Sequence, residues 1–195
     1  MIVVNLKRSM RRLVEQVRLG IPDDVLLEQL ERDTTAEWAG VSSEALYEYG
    51  GTGSTDYLVG VYRDQIVSIY YIRGWHAGEQ PGRVVFDVQP AMEMAAAIGQ
   101  PVPGNPWKRG EARPVRYFDT RTFVRDLDDR GVLNIYDDAG DDAVDRCMVA
   151  VIRDLASPAA QSPLAGVEVA ADPRGGIRVT VPLGTKVTIV QRAGG

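Results

Sequence analysis

A chain of 195 residues with 45% hydrophobic and 25% charged residues has the composition of an ordinary globular protein, which excludes intrinsic disorder. Its net charge of −5 at pH 7 argues against a protein that binds nucleic acid through bulk positive charge. The single cysteine, Cys147, excludes an internal disulfide framework and fits a reducing compartment.

The start of the chain does not resemble a targeting segment. A short apolar run is followed by basic residues, which is the wrong order for a signal peptide. No window reaches the roughly 18 apolar residues of a membrane span. We therefore expect a soluble, cytoplasmic protein with no membrane partner.

Charge alternates along the chain. Residues 1–20 and 107–125 are basic, whereas residues 21–49 and 126–145 are acidic. This pattern could place a basic surface beside acidic ones that attract a protein partner. It could equally form ordinary ion pairs on a solvated face, and both interpretations stay open.

Residues 1–33 are predicted to form a helical hairpin. Apolar residues recur at helical spacing from Leu6 to Val17. Gly20 is typical of a helix end and Pro22 of a helix start, so a second helix follows directly.

The clearest pattern is a β-hairpin. The runs Tyr57–Tyr62 and Ile66–Trp75 are rich in β-branched and aromatic residues and flank the polar turn 63–65. The second run shows little polar alternation, which is typical of a strand covered on both faces. We expect Ile69 and Tyr71 to be deeply buried.

The remaining elements are less regular. Before the hairpin, 34–41 is predicted to be a short strand around Trp38, and a helix through Tyr47 is capped from Ser42. After it come a strand at 83–88, a helix from Pro90 to Gly99 and a strand at 114–117. The residue pattern changes near residue 126, where a C-terminal extension is predicted to begin. The elements predicted there are a candidate strand at 132–136, a helix at 141–155, and antiparallel strands at 167–170, 177–182 and 186–191.

No residue pattern indicates catalysis, a metal or a cofactor. His76, the only histidine, is predicted to lie in a loop without a partner, and Cys147 is predicted to be an inert thiol in a packed helix. One cysteine and one histidine cannot build a zinc site without carboxylates. The glycine-rich segment 50–55 lacks the Gly-Lys-Ser/Thr ending of a phosphate-binding loop. An enzyme is not favoured.

The best candidate site is a basic, proline-held segment around Trp107. An aromatic ring beside several cations can stack a base and contact phosphates. The alternative is that Trp107 packs on the barrel while the cations stay solvated. The cations are Lys108, Arg109, Arg113 and Arg116.

Residues 34–118 resemble a domain of uncharacterised bacterial proteins with the order of a PUA-like barrel of the ASCH and EVE kind. The chain departs from that pattern at Asp64, where the hairpin glycine is expected, and at Arg113, where an asparagine is expected. The resemblance implies a barrel that binds RNA or modified nucleobases in a pocket rimmed by aromatic residues. The segments that carry it are Thr35–Trp38, Val61–Val67, Ile72–Trp75, Arg83–Phe86 and Arg109–Tyr117.

The sequence thus predicts an α+β protein: a helical hairpin (1–33), a central PUA-like β-barrel (34–125), and a C-terminal extension of one helix and three antiparallel strands (126–195). The favoured function is a non-catalytic module that binds nucleic acid, a nucleotide or a modified base. The alternative is an interaction or structural protein, such as a phage assembly component or an accessory subunit. A hydrolase that uses carboxylates is a third class, whose residues the sequence does not locate. The predicted binding residues are Trp38, Tyr71, Trp75 and Trp107 for the bases, and Lys108, Arg109, Arg113 and Arg116 for the phosphates.

Overall fold

A computed structural model describes residues 1–49, 56–104, 107, 114–133, 142–157, 168–171 and 177–180. The helices are α1 (Lys7–Arg18), α2 (Asp23–Thr35), α3 (Ser43–Tyr49), α4 (Thr120–Asp129), α5 (Ala143–Ala156) and a 3-10 helix (Met92–Ala97). The strands are β1 (Ile2–Asn5), β2 (Trp38–Ala39), β3 (Asp56–Tyr62), β4 (Gln65–Ala77), β5 (Arg83–Pro90), β6 (Val115–Tyr117), β7 (Glu168–Ala171) and β8 (Ile177–Thr180).

Six strands form one sheet in the order β2-β5-β4-β3-β1-β6. All neighbours are antiparallel except β1 and β3, which run parallel. The sheet curves into a nearly closed barrel. Its two edges approach each other at one end, where Trp38 of β2 and Pro114, just before β6, line the same cavity. The mixed α+β class of the prediction is confirmed.

The predicted hairpin is confirmed. Strands β3 and β4 pair with Val59 opposite Ile69, and Ile69 is completely buried. The turn has only two residues, Arg63 and Asp64, and both have positive φ angles, 52° and 61°. That geometry matches the twist of the flanking strands, although glycine or asparagine is usual there. Tyr71 was predicted to be deeply buried, and this is wrong: it is half-buried because its ring borders a cavity.

The prediction of a purely helical segment at 1–33 is wrong at its beginning. Ile2–Asn5 forms β1, which lies between β3 and β6, and Ile2, Val3 and Val4 are completely inaccessible to solvent. Such a short, uniformly apolar run is typical of a buried parallel strand but carries no helical or alternating period to reveal it. Helices α1 and α2 then follow as predicted.

Two elements around the barrel are shorter than the sequence suggested. Strand β2 has two residues, because Thr34 and Thr35 still belong to α2. The segment after Pro90 forms a 3-10 helix, which runs beside β4 where β5 has ended. Ala91 donates its backbone N–H to Ile69 at one end of this segment, and Gly99 donates to Ile66 at the other.

Helix α4 was not predicted, and the proposed division at residue 126 falls inside it. Asp119 caps this helix by accepting the N–H of Thr122 at 2.7 Å. Val132 and Leu133 belong to no strand, so the candidate strand at 132–136 is wrong in its described part. Strands β7 and β8 pair antiparallel, as predicted, and the predicted third strand at 186–191 lies outside the described residues.

The helices cover both sides of the sheet. The pKa of Tyr70 is raised mainly by burial. The negative charges of Glu31 on α2 and Asp145 on α5 raise it further, so both helices lie near this ring. Its neighbour Tyr71 lines a cavity with α4. Because neighbouring strand residues point to opposite faces, α2 and α5 lie on one face of β4 and α4 lies on the other.

Candidate functional site

A concave surface with three basic residues, Lys7, Arg8 and Arg83, and two acidic ones, Asp33 and Glu37, lies where β1 passes into α1. We call it the α1 cavity; its volume is ≈ 520 Å³. Pro114, which lines it, directly follows the predicted cation cluster 108–113 in the sequence. The lining residues used below are Asn5, Lys7, Arg8, Glu37, Trp38, Arg83 and Pro114.

The first turn of α1 concentrates positive charge at the wrong end of a helix. Asn5 accepts the backbone N–H of Lys7 through its side-chain oxygen at 3.0 Å, which fixes the start of the helix. The turn contains Lys7 and Arg8 but no acidic residue. A helix N-terminus favours anions, so cations there cost stability. Helix α2 follows the usual rule, with Asp23 and Asp24 in its first turn.

Lys7 and Arg8 are not held in ion pairs, although Asp33 and Glu37 line the same cavity. Within the described residues, neither Lys7 nor Arg8 forms an ion pair or a side-chain hydrogen bond. Further along the same helix, Arg12 pairs with Asp33 at 3.2 Å, and Arg18 donates to the Ala156 carbonyl at 3.1 Å. Among the described residues, the α1 cations without an ion pair therefore include Lys7 and Arg8 in the first turn and Arg11 in the next.

A smaller cavity of ≈ 270 Å³ adjoins the first and shares Asn5 and Lys7 with it. It adds Arg11 of α1 and Arg63 of the β3–β4 turn. The Arg63 guanidinium lies 5.1 Å from the ring centre of Tyr62, which orients this cation at the cavity wall. The two cavities form one continuous basic surface.

Trp38 supplies the aromatic wall of the α1 cavity. Its indole N–H donates to the Thr34 carbonyl at the end of α2 at 2.6 Å, which fixes the plane of the ring. The side chain is half-buried and packs against the hydrophobic core with one part while lining the cavity with another. A rigid, partly exposed indole beside cations suits a flat, anionic ligand.

Glu37 is held in an unusual conformation beside Trp38. Its backbone is left-handed, with φ 59°, its carbonyl accepts from Arg83 at 2.7 Å, and one carboxylate oxygen accepts the Glu79 N–H at 2.8 Å. The other carboxylate oxygen is buried without a partner among the described residues. Strained non-glycine residues cluster at functional sites, so the conformation of Glu37 supports the choice of this cavity as the candidate site.

Within the part of the chain that the structure describes, the predicted aromatic residues do not share one pocket. Trp38 lines the α1 cavity, whereas Tyr71 lines a separate cavity beneath α4. Trp75 is 41% exposed near the end of β4, opposite Phe86. Trp107 is half-buried and packs against the core, as the structural alternative proposed.

The predicted cations are only partly described. Arg116 lies on β6, half-buried and opposite Val3 of β1. Lys108, Arg109 and Arg113 lie outside the described residues, so their proposed contacts with phosphate stay predictions.

His76 is part of β4 rather than a loop, which corrects the prediction. Its Nε2 atom lies 3.9 Å from a carboxylate oxygen of Asp87 on β5, and both side chains are exposed. Cys147 is half-buried on α5. The described part of the chain contains no group of three or more histidine, cysteine or acidic residues arranged to hold a metal.

The sequence analysis missed the cations that the structure brings to the α1 cavity: Lys7, Arg8, Arg11, Arg63 and Arg83. The signal for the first two was present, because Lys7 and Arg8 begin a helix whose first turn has no acidic residue. It could be recognised only once Ile2–Asn5 was known to be a strand, which places the helix start at the rim of a sheet.

Comparison with known proteins finds no significant match to a protein-family model, a curated protein or a solved structure. No described helix has the length and apolar character needed to cross a membrane.

Proposed function

We propose that this protein is a non-catalytic module that binds single-stranded nucleic acid or a nucleotide at the α1 cavity. The observation that carries the proposal is the pair Lys7 and Arg8, placed without a carboxylate partner among the described residues at the positive end of α1, beside the fixed indole of Trp38.

The basic surface suits phosphate groups. Cations, the N-terminal dipole of α1 and the guanidinium of Arg63 all favour negative charge at the same rim. A local positive surface on a chain of net charge −5 attracts anions over a short range, because salt screens charges beyond about 8 Å at physiological ionic strength. Affinity should therefore depend strongly on salt.

The wall formed by Trp38 suits a base. Stacking on an aromatic ring tolerates any base, since every base has a π-face. The nearly closed barrel is compatible with a PUA-like barrel, and the resemblance of residues 34–118 to such domains, which bind RNA or modified bases, supports the proposal.

The test is fluorescence anisotropy with a labelled single-stranded RNA of about ten nucleotides, within the site sizes of such domains. Lys7→Gln with Arg8→Gln should weaken binding at least about tenfold and should reduce the salt slope by about 1.4, as two lost phosphate contacts predict. The matched control is Arg32→Gln, an exposed arginine of α2 that pairs with Glu28. Absence of binding at low salt, or equal affinity of the double variant, overturns the proposal.

Trp38→Leu separates stacking from charge. It should lower affinity while leaving the salt slope unchanged, because no phosphate contact is removed. Thermal unfolding of the variant checks that the lost bond to Thr34 has not disrupted the fold. The same experiment with DNA shows whether the ribose hydroxyl contributes.

The second candidate function, an interaction protein, is favoured by one observation. Leu19 is 87% exposed and Val25 is 44% exposed, on either side of the α1–α2 turn. Exposed apolar side chains that cluster mark association surfaces. Gel filtration of the wild type and of Leu19→Ser tests whether this turn joins two copies of the chain.

A further inference from the structure

A third cavity, the one that Tyr71 lines, lies beneath α4, at the other end of β1 from the α1 cavity. Its volume is ≈ 750 Å³. Asn5, the last residue of β1, lines the α1 cavity, whereas Thr120, whose hydroxyl accepts from the nitrogen of Met1, lines this one. This cavity and the α1 cavity share no described lining residue. We call the cavity beneath α4 the α4 cavity.

The floor of the α4 cavity is a pair of tyrosines. Tyr57 of β3 and Tyr71 of β4 are direct cross-strand partners, and their rings stack with centroids 4.9 Å apart and an angle of 26°. The guanidinium of Arg73 lies 5.9 Å from the ring centre of Tyr71. Each tyrosine therefore covers one ring face of the other, and together they form an aromatic wall of the cavity.

Hydrogen bonds hold this surface rigid. The hydroxyls of Tyr57 and Tyr71 both donate to the same carboxylate oxygen of Glu93, that of Tyr57 at 2.7 Å. Burial, followed by hydrogen bonding with Tyr71 and with Glu93, raises the pKa of Tyr57, and burial together with the bond to Glu93 raises the pKa of Tyr71. Both rings stay neutral and fixed in place.

The roof is one face of α4. Arg121 and Arg125 stand one helical turn apart and line the cavity with the apolar Val124. Like charges at this spacing destabilise a helix by a few tenths of a kcal/mol. Within the described residues neither arginine forms an ion pair, not even with Asp128, which also lines the cavity. On the same helix Arg130 does pair, with Asp126.

We propose that the α4 cavity binds a small organic anion that carries a flat ring. The ring lies against the tyrosine surface, and the anionic group lies between Arg121 and Arg125. Guanidinium groups bind carboxylates and phosphates through paired N–H donors, and two of them one turn apart can share one anion. This site goes beyond the nucleic-acid function, because it requires neither the α1 cavity nor a polymer.

Isothermal titration calorimetry with phenyl phosphate, benzoate and inorganic phosphate tests the site. One of the two aromatic anions should bind at a single site, at least about tenfold more tightly than inorganic phosphate, and the preferred one identifies the anionic group. Arg121→Gln with Arg125→Gln should weaken binding at least about tenfold, and Tyr57→Leu should weaken it more than Tyr57→Phe, which keeps the ring.

The controls separate this proposal from the first. Lys7→Gln with Arg8→Gln and the single variant Arg32→Gln should leave the affinity for the aromatic anion unchanged. The proposal is overturned if neither aromatic anion binds at about 1 mM, or if the double arginine variant of α4 binds as tightly as the wild type while its thermal unfolding is unaltered.

Discussion

The hydroxyl oxygens of Thr34 and Ser68 lie 2.9 Å apart between α2 and β4, and both residues are completely buried. Thr34 also donates to the Leu30 carbonyl at 2.7 Å. A hydroxyl has one hydrogen, so Ser68 must donate to Thr34. This polar contact, enclosed by apolar side chains, fixes the position of the end of α2 and therefore of Trp38, which follows it.

The two hydroxyls should respond unequally to deletion. Thr34→Val leaves the Ser68 hydroxyl buried without its acceptor and should cost about 1–3 kcal/mol of unfolding free energy. Ser68→Ala should cost less, because Thr34 keeps its bond to Leu30. Urea denaturation of the single and double variants measures the coupling; additive losses would show that the contact contributes nothing of its own.

Gly60 allows this contact to form. A Cβ atom at Gly60 would lie 2.2 Å from the Ser68 hydroxyl oxygen and 2.8 Å from a Leu6 methyl carbon. Gly60→Ala should therefore destabilise the protein by about 1–3 kcal/mol through overpacking. Gly74→Ala is the matched control on β4, since its closest neighbour would be 3.4 Å away. A change in melting temperature as small at Gly60 as at Gly74 would contradict the packing.

Ile69 is completely buried in the centre of β4. Ile69→Ala should cost about 2–5 kcal/mol, because the surrounding side chains only partly fill the space, and Ile69→Val about 0.5–1.5 kcal/mol. Equilibrium unfolding in urea measures both. A loss below that of the valine variant would show that the core at this position is loosely packed.

Asp119 should make the stability of α4 depend on acid. Its hydrogen bonds to Thr122 lower its pKa below the ordinary value of 3.8. A lowered folded pKa means that the charged form contributes stability at neutral pH, and this contribution declines as pH falls below about 4 and through the folded pKa. Asp119→Asn keeps a capping oxygen but does not titrate. The melting temperature of the wild type should exceed that of this variant at pH 7, and the gap should close in acid; a constant gap would contradict the assignment.

Local patterns in the sequence predicted local structure well. The β3–β4 hairpin and helices α1, α2 and α5 follow from periodicity and turn residues that act within a few positions. Strand β1 could not be found this way, because its partners are Leu58–Val61 and Val115–Tyr117, far along the chain. Its four residues carry no period of their own.

The candidate site was predicted only through Trp38. The sequence grouped Trp38 with Tyr71 because both are aromatic residues of the barrel, yet they border cavities at opposite ends of β1. Lys7 and Arg83 line the same cavity because of the positions of β1 and β5 in the sheet. Clusters of charge in the sequence cannot predict this, since it depends on the order of the strands.

The position of β1 also determines the order in which the barrel can assemble. During synthesis the strand Ile2–Asn5 emerges before β3 and β6, which flank it in the sheet. Until then an apolar strand with unpaired edges is exposed to aggregation. Lys7 and Arg8 follow it immediately, as charged flanks that discourage such association. We therefore expect the loss of Lys7 and Arg8 to lower the yield of refolding as well as the affinity for a ligand.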